Sequence, residues 1–368
     1  MKIKRFKAEN FRNVEYCDIS FEDGVNLLYG SNAQGKTNAI EGIYLFSRGK
    51  SFRGTEDKDL KRFEADGFRL SIEYEDKDGL NTLEYASFGR ERVRKKNGYR
   101  LKRLSEMIGS FKAVLFFPDD LSLVKDGPEE RRAFLNIAIA QCYPSYIDEY
   151  SAYKEALENK NRLLKCALKG QYYEKREIES WSEIMADHAA MIYKIRRDYV
   201  KLLNKYSYLK EKEISSSKEE LEILYKSDIK EEKNTLSEIK EEYKGIFISG
   251  IEKELLAGSS LYGPHRDDLI ININGKSARI FASQGQQRSV VLSMKLAEGE
   301  IIKELFSEYP VFLFDDVLSE LDRERREFVL KGMGKMQVII TSCSGEEIID
   351  CAASVTEVKE GKYVPSHR

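Results

Sequence analysis

The chain has 368 residues, 41% of them hydrophobic, enough to bury a full core and to form two domains or one domain with a large insertion. Its 61 lysines and arginines nearly cancel 63 aspartates and glutamates, so the net charge is only −2 and any nucleic-acid site must be a local patch. Residues 1–10 lack the apolar run of a signal peptide, and no segment reaches the ~18 apolar residues of a membrane span. The expectation is a cytoplasmic protein with no membrane partner. Five cysteines (Cys17, Cys142, Cys166, Cys343 and Cys351) show no C-x-x-C spacing, which argues against a zinc site or disulfide framework and for thiols packed as small hydrophobes.

Residues 25–29, Val-Asn-Leu-Leu-Tyr, read as a short buried strand, residues 30–37 as a loop and residues 38–46 as a helix. Residues 68–74 and 82–88 alternate apolar and polar side chains as half-exposed strands do, and Asn97-Gly98 predicts a hairpin turn. From about 129 to 256 the texture becomes Lys- and Glu-rich with apolar residues at helical spacing, among them Ile178, Trp181, Met185, Ile192, Ile195, Tyr199 and Leu202. Ser215-Ser216-Ser217 breaks this helical stretch. Strand-like texture returns at 269–273, 311–314 and 338–341. The expected division is 1–127, a first core part with an antiparallel β subdomain; 128–257, an inserted α-helical domain; and 258–368, the rest of an α/β core.

Gly30-Ser31-Asn32-Ala33-Gln34-Gly35-Lys36-Thr37 fits G-x-x-x-x-G-K-[ST] between a predicted strand and a predicted helix. Glycines let the backbone wrap a polyphosphate with its N–H groups inward, Lys36 reaches the terminal phosphates of ATP, and the Thr37 hydroxyl ligates Mg²⁺. The apolar run Val311-Phe312-Leu313-Phe314 ends in Asp315, placed to hold the metal, and Asp316, placed as general base toward the attacking water.

Ser283-Gln284-Gly285-Gln286 precedes an apolar helical run and resembles the signature of ABC-type P-loop ATPases. There a Ser hydroxyl, a Gly N–H and a helix N-terminus complete the nucleotide site of a second subunit. Ser319-Glu320-Leu321-Asp322 resembles the D-loop that crosses the same dimer interface. The order of P-loop, signature, acidic strand and D-loop is that of an ABC head. Thr341-Ser342 stands where many such proteins carry a switch histidine; a hydroxyl accepts no proton as imidazole does, so slow hydrolysis is expected.

Further stretches resemble the RecF family: Asn10-Phe11-Arg12-Asn13, the basic turn Arg48-Gly49-Lys50-Ser51-Phe52-Arg53, Phe117-Pro118-Asp119-Asp120-Leu121, Pro128-Glu129-Glu130-Arg131-Arg132 and Gly263-Pro264-His265-Arg266-Asp267-Asp268. The resemblance implies an ATP-driven homodimer on double-stranded DNA at gap junctions, acting with RecO- and RecR-like mediators to load RecA. By analogy with related repair ATPases it assigns Arg12 to adenine or ribose. Three positions depart from the family pattern. Ala33 replaces a common Gly, tolerable where φ is ordinary; Asn136 replaces a common Asp, which puts an ion pair in doubt; and no glutamine marks the loop after the first helix. The His265 stretch lacks the spacing of a closed metal cage and reads as a structural loop, with a place near the nucleotide as the alternative.

Between 90 and 103 eight basic residues meet one acidic residue, and Arg92, Arg94, Lys95, Lys96 and Arg100 are the candidate DNA contacts; Arg48, Lys50 and Arg53 could serve instead or could equally contact phosphate on ATP. A hairpin whose charges merely protect a sheet edge is the other reading. Alternatives for the whole chain are an SMC-like or break-repair ATPase head, for whose arms the insertion is too short, the ATPase subunit of a membrane transporter, and a small-molecule kinase.

Overall fold

The structure, a computed structural model, describes residues 1–230, 235–318, 321–332, 334, 336–343 and 348–366. In β1 (Lys2–Phe11) the inward positions Ile3, Phe6, Ala8 and Phe11 carry the apolar side chains, and β2 (Val14–Ser20) returns beside it. The strand β3 (Val25–Tyr29) is buried along its first four residues, as a central strand requires. Next comes α1 (Lys36–Arg48), which starts two residues before the expected helix and ends on Gly49, whose left-handed φ of 78° turns its N–H onto the Leu45 carbonyl. An antiparallel run follows in β4 (Gly67–Asp76), β5 (Gly79–Phe88), β6 (Glu91–Lys96) and β7 (Tyr99–Arg100), with Asn97 and Gly98 both at positive φ in the last turn. β8 (Ala113–Phe116) is buried throughout.

The chain continues through α2 (Ser122–Lys125), α3 (Pro128–Cys142), α4 (Ser145–Leu168), α5 (Lys175–Ile214), β9 (Leu221–Lys226), α6 (Leu236–Ala257), β10 (Asp268–Ile273), β11 (Lys276–Ser277) and α7 (Ala278–Phe281). It closes with α8 (Gln284–Phe306), β12 (Val311–Asp315), α9 (Arg323–Gly332), β13 (Val338–Ser342), β14 (Ser354–Lys359) and β15 (Lys362–Pro365). One sheet has the antiparallel order β2-β1-β4-β5-β6-β7. A second runs β15-β14-β3-β13-β12-β8, parallel except for β15, and a third runs β11-β10-β9.

Two compact units result. The first comprises residues 1–121, 206–219 and 283–368 and holds both six-stranded sheets. The second comprises 122–205 and 220–282 and holds most of the helices and the three-stranded sheet. These limits differ from the expected insertion at 128–257, which also was to be wholly helical. Leu221 and Ile223 point inward from β9 while β10 pairs along it from Asp268↔Lys226 to Ile273↔Leu221, so the chain past 258 stays with the second unit. Among the described residues no helix is long and apolar enough to cross a membrane.

A buried polar network holds the second unit. Arg196 is fully buried and donates to Tyr146 Oη (2.9 Å), the Pro264 carbonyl (2.7 Å), Asp267 Oδ2 (2.8 Å) and Asn136 Oδ1 (2.9 Å). The ion pair that Asn136 put in doubt is therefore made by Asp267, while the Asn136 amide oxygen still accepts from Arg196 and from Tyr146 (2.6 Å). Arg131 clasps Asp268 at 2.7 and 3.1 Å, so two motifs more than 130 residues apart in sequence meet here. His265 takes part through Tyr153 Oη at 2.6 Å and the Ser260 carbonyl at 3.4 Å; among the described residues no group of three or more His, Cys, Asp or Glu side chains is placed to hold a metal ion.

This network sets two expectations for stability. Arg196→Met leaves the buried Asp267 carboxyl without its ion-pair partner and should cost about 3–5 kcal/mol, read by urea unfolding. Burial pushes the His265 pKa down from 6.5 to about 4. The unfolded chain therefore takes up a proton before the folded chain does. Stability contributed by the neutral ring is full above pH 6.5 and declines by at most roughly 1.4 kcal/mol per pH unit as pH falls toward 4. In His265→Gln that part of the pH dependence of unfolding should disappear; an unchanged slope would contradict it.

Candidate functional site

The C-terminal ends of β3, β12 and β13 lie side by side, and the order β3-β13-β12 puts β13 between the two strands that carry the phosphate loop and Asp315. Such an edge of a parallel sheet is where α/β proteins bind ligands. Thr37 Oγ1 donates to Asp315 Oδ1 at 2.8 Å, and Thr341 Oγ1, opposite Asp315 in register, donates to the same oxygen at 2.8 Å. The Asp316 N–H is held by Thr341 Oγ1 at 3.0 Å. Burial raises the Asp315 pKa, the two hydroxyls opposing that shift. A buried carboxylate beside a threonine hydroxyl is a donor pair that a hard divalent cation would suit, since the cation would offset the cost of the buried charge.

A cavity of about 530 Å³ opens over this edge, lined by Asn32 to Asn38 of the loop and helix, by Arg12, Asn13, Arg53, Asp59 and Lys61, and by Asp316. Lys36 is almost fully buried and folds back on the loop, donating to the carbonyls of Gly30 (2.5 Å) and Ser31 (2.9 Å). Gly30 admits no side chain, because a Cβ there would sit 2.2 Å from the Val358 carbonyl oxygen. Gly35 has φ 114° at the start of α1. Ala33, for which an ordinary φ is expected, is instead left-handed at 63°, a conformation that costs an alanine roughly 1–2 kcal/mol and explains why glycine suits this position. Gln34 is a brace: its carbonyl accepts from Gly361 N–H (2.9 Å) and its side chain from Glu360 N–H (2.6 Å), while Tyr363 Oη donates to the Gly35 carbonyl at 2.7 Å.

Arg12 lies at the cavity wall, its guanidinium clasped by the fully buried Glu41 at 2.6 and 2.9 Å and bonded to Thr55 (2.8 Å) and the Asp59 carbonyl (3.0 Å). The sequence points to Arg12 but not to Glu41, since a lone glutamate on a helix carries no signal of its partner 29 positions away. Cys343, expected as packing, departs from that role. It is exposed, and its thiol sits 2.8 Å from Asn32 Oδ1, 3.8 Å from Lys36 Nζ and 3.8 Å from the Asp316 carboxylate.

Ser283 is the N-cap of α8. Its hydroxyl accepts the Gln286 N–H at 3.3 Å and Gln286 Oε1 accepts the Ser283 N–H at 2.8 Å, a capping box. Ser283 is exposed, and none of Ser283, Gly285 and Gln286 lines the cavity of the same chain. Of the D-loop stretch, Ser319 and Glu320 lie outside the described residues; Asp322 caps α9 by accepting the Arg325 N–H at 2.9 Å.

The cationic hairpin is less free than its composition suggests. Arg92 pairs with Asp57 (2.5 Å), Lys95 with Glu84 (3.6 Å) and Arg100 with Glu91 (3.4 Å), Lys96 reaches Ser110 (3.3 Å) and Arg94 lies over the Tyr85 ring. Yet the hairpin and the basic turn after α1, rivals for one role in the sequence, line one cleft of about 660 Å³. Arg48, Lys50, Lys58, Arg90, Arg92 and Arg94 face it against Glu56 and Asp57.

An AAA ATPase domain model matches residues 1–312. The DNA replication and repair protein RecF of Bacillus mycoides (strain KBAB4) is 39% identical over 350 residues, 95% of this chain and 93% of that one. The RecF protein of Bacillus cereus (strain B4264) is 38% identical over the same shares. A solved recombination mediator protein RecF in complex with ATP, of the RecFOR pathway, superposes with a TM-score of 0.92 at 34% identity, covering 100% of this chain and 98% of that chain. The Smc head domain of Pyrococcus furiosus matches with a TM-score of 0.57 at 16% identity, a kinship of ABC-type fold alone, so the SMC-like alternative is not favoured. With an ABC-type ATPase core and relatives that share its whole length, the chain belongs to the RecF family of DNA replication and repair ATPases.

Proposed function

We propose that the chain is an ATP-switched clamp: two copies close on ATP and Mg²⁺, hold double-stranded DNA at single-strand gaps, and reset by slow hydrolysis. The observation that carries this reading is the 2.8 Å contact between Thr37 and Asp315 beside a cavity lined by Lys36 and Asp316. Loop N–H groups and Lys36 would hold the polyphosphate, and Thr37 and Asp315 would hold Mg²⁺, which would supply charge neutralisation at the terminal phosphates. Asp316 orients and polarises the attacking water. Thr341 is occupied in holding Asp315 and the Asp316 N–H, which supports a weak ATPase. Arg12, fixed by Glu41, shapes the wall that receives the nucleoside.

Ser283, Gly285 and Gln286 serve the other copy, a reading supported by the exposure of Ser283 and the absence of all three from their own chain's cavity. The related RecF solved with ATP is a recombination mediator of the RecFOR pathway, which supports RecO- and RecR-like partners for this chain and, through them, RecA loading. The cytoplasm, where such DNA work takes place, is the proposed location. For DNA we assign the basic cleft that joins Arg48 and Lys50 to Arg90, Arg92 and Arg94, with Lys95, Lys96 and Arg100 on its flank; salt-dependent backbone contact without base reading is the expected mode.

Sedimentation with and without ATP tests the clamp. The wild type should dimerise only with ATP; Lys36→Met should lose nucleotide binding; Ser283→Arg should bind ATP but stay monomeric; Asp316→Asn should remain trapped as a dimer. A wild type that is monomeric in both conditions removes the clamp. For DNA, the double variant Lys50→Glu, Arg90→Glu should weaken duplex binding and lower the slope of log affinity against log salt by about two, since each lost phosphate contact removes roughly 0.9. An unchanged slope moves the DNA surface elsewhere.

A further inference from the structure

Residues 206–219, the end of α5 and the turn after it, belong to the first unit and are bonded to α8. One carboxyl of this segment is fully buried. Glu211 accepts from Ser293 Oγ at 2.7 Å through Oε2, while its Oε1, equally buried, meets no donor among the described residues. Glu219 comes within hydrogen-bonding reach of Glu211, although both are acids. Two ionised carboxylates repel at that distance, and a buried carboxylate oxygen without a donor costs its lost hydration. One proton removes both penalties: carried on Glu211 Oε1, it donates to Glu219 and leaves a single charge on the pair.

The cations nearby are committed elsewhere. Arg325 of α9 acts on Glu211, but it is paired with Asp322 and its Nε donates to Ser289 Oγ at 2.8 Å. Arg288 of α8 acts on the same aspartate. On α5 itself Lys210 pairs with Glu213 (3.1 Å) and Glu300 (3.2 Å), and Lys212 lies over the Tyr208 ring. Burial, reinforced by Glu219 and opposed by Ser293 and Arg325, raises the Glu211 pKa from 4.5 to about 7. Glu219 passes the effect to the signature turn. It accepts from Gln286 Nε2 at 2.8 Å, and Gln286 closes the capping box with Ser283 through its other amide atom and its own N–H.

We propose that Glu211 and Glu219 are positioning residues of the signature turn: they share one proton that fixes Gln286, and through it Ser283, in the shape that closes on the second copy's ATP. The role in closure rests on the clamp reading; the shared proton does not. Without the proton two facing carboxylates push Glu219 and Gln286 out of place. The folded chain keeps this proton up to about pH 7 and the unfolded chain only to about 4.5, so the stability it contributes is full below pH 4.5 and is lost as pH rises through 7. At pH 8 about a tenth of the chains retain it, and roughly tenfold or more protein should be needed to dimerise with ATP than at pH 6.

Glu211→Gln makes the protonated pair permanent, since its amide accepts from Ser293 and donates to Glu219 at any pH. Sedimentation with excess ATP and Mg²⁺ at pH 6, 7 and 8 compares it with the wild type; ATP titrates identically for both, so the difference between the two profiles is the readout. Dimerisation of the wild type should weaken toward pH 8, and Glu211→Gln should dimerise at pH 8 as the wild type does at pH 6. Infrared difference spectra of the nucleotide-free monomer between pH 6 and pH 8 should show loss of a protonated-carboxyl band that Glu211→Gln lacks. Equal pH profiles for the two proteins, or no such band, overturn the inference and leave the clamp standing. A wild type that stays monomeric with ATP at every pH removes the clamp instead, and with it the role in closure, while the band decides the shared proton by itself.

Discussion

The contact between Thr37 and Asp315 is the constraint on which the first unit is built. Two residues 278 positions apart can share a hydrogen bond only if the strand before the phosphate loop and the strand before Asp315 end at the same height in one parallel sheet. The order β3-β13-β12 separates them by a single strand, and the residue at the end of that strand must fit between. Thr341 does so, with its hydroxyl shared between Asp315 and the Asp316 N–H. A histidine could not bridge the same two groups with one atom. Thr341 is thus set by packing and hydrogen bonding at the sheet edge.

Backbone strain gathers at this edge. Ala33 at φ 63° and Asp316 at φ 55° are left-handed without being glycine, and Gly30 is wedged against β14. Such conformations persist only where surrounding contacts over-determine them. Here Glu360 and Gly361 of the β14–β15 turn and Tyr363 of β15 grip Gln34 and Gly35 next to Ala33, and Thr341 holds the Asp316 N–H. The end of the chain, unremarkable as a sequence, is part of the phosphate loop's foundation.

What could be read in advance was what lies close together in sequence. The phosphate loop, the apolar strand ending in two aspartates, the Ser283-Gln284-Gly285-Gln286 run and the Asn97-Gly98 turn each fill a short window with residues whose conformational or chemical demands are specific. Features that pair distant positions were not legible: Glu41 beneath Arg12, Asp267 beside Arg196, and the three-stranded sheet that carries the second unit to residue 282. β9 was hidden because its alternation, Leu-Glu-Ile-Leu-Tyr-Lys, is too short to stand out from a charged stretch with helical spacing. For the cationic hairpin, composition counts charges but does not reveal which of them pair with Asp57, Glu84 and Glu91.

The signature helix ties these parts together. At its middle Gly299 lets the Phe312 ring of β12 approach to where a Cβ would lie 2.3 Å away, so α8 and β12 are in direct register with little room to slide. Lys295, buried on the same helix, pairs with Asp120 at 3.0 Å, and Ser293 donates to Glu211 at 2.7 Å. Moving α8 would break a buried charge pair and a buried hydrogen bond as well as apolar packing, and a carboxylate left without its partner in the interior costs several kcal/mol. Ser283 at one end of α8 and Asp315 at the end of β12 are therefore parts of one stiff body. Stiffness of that kind suits a site divided between two chains, because its halves must already hold their shape before the other half arrives.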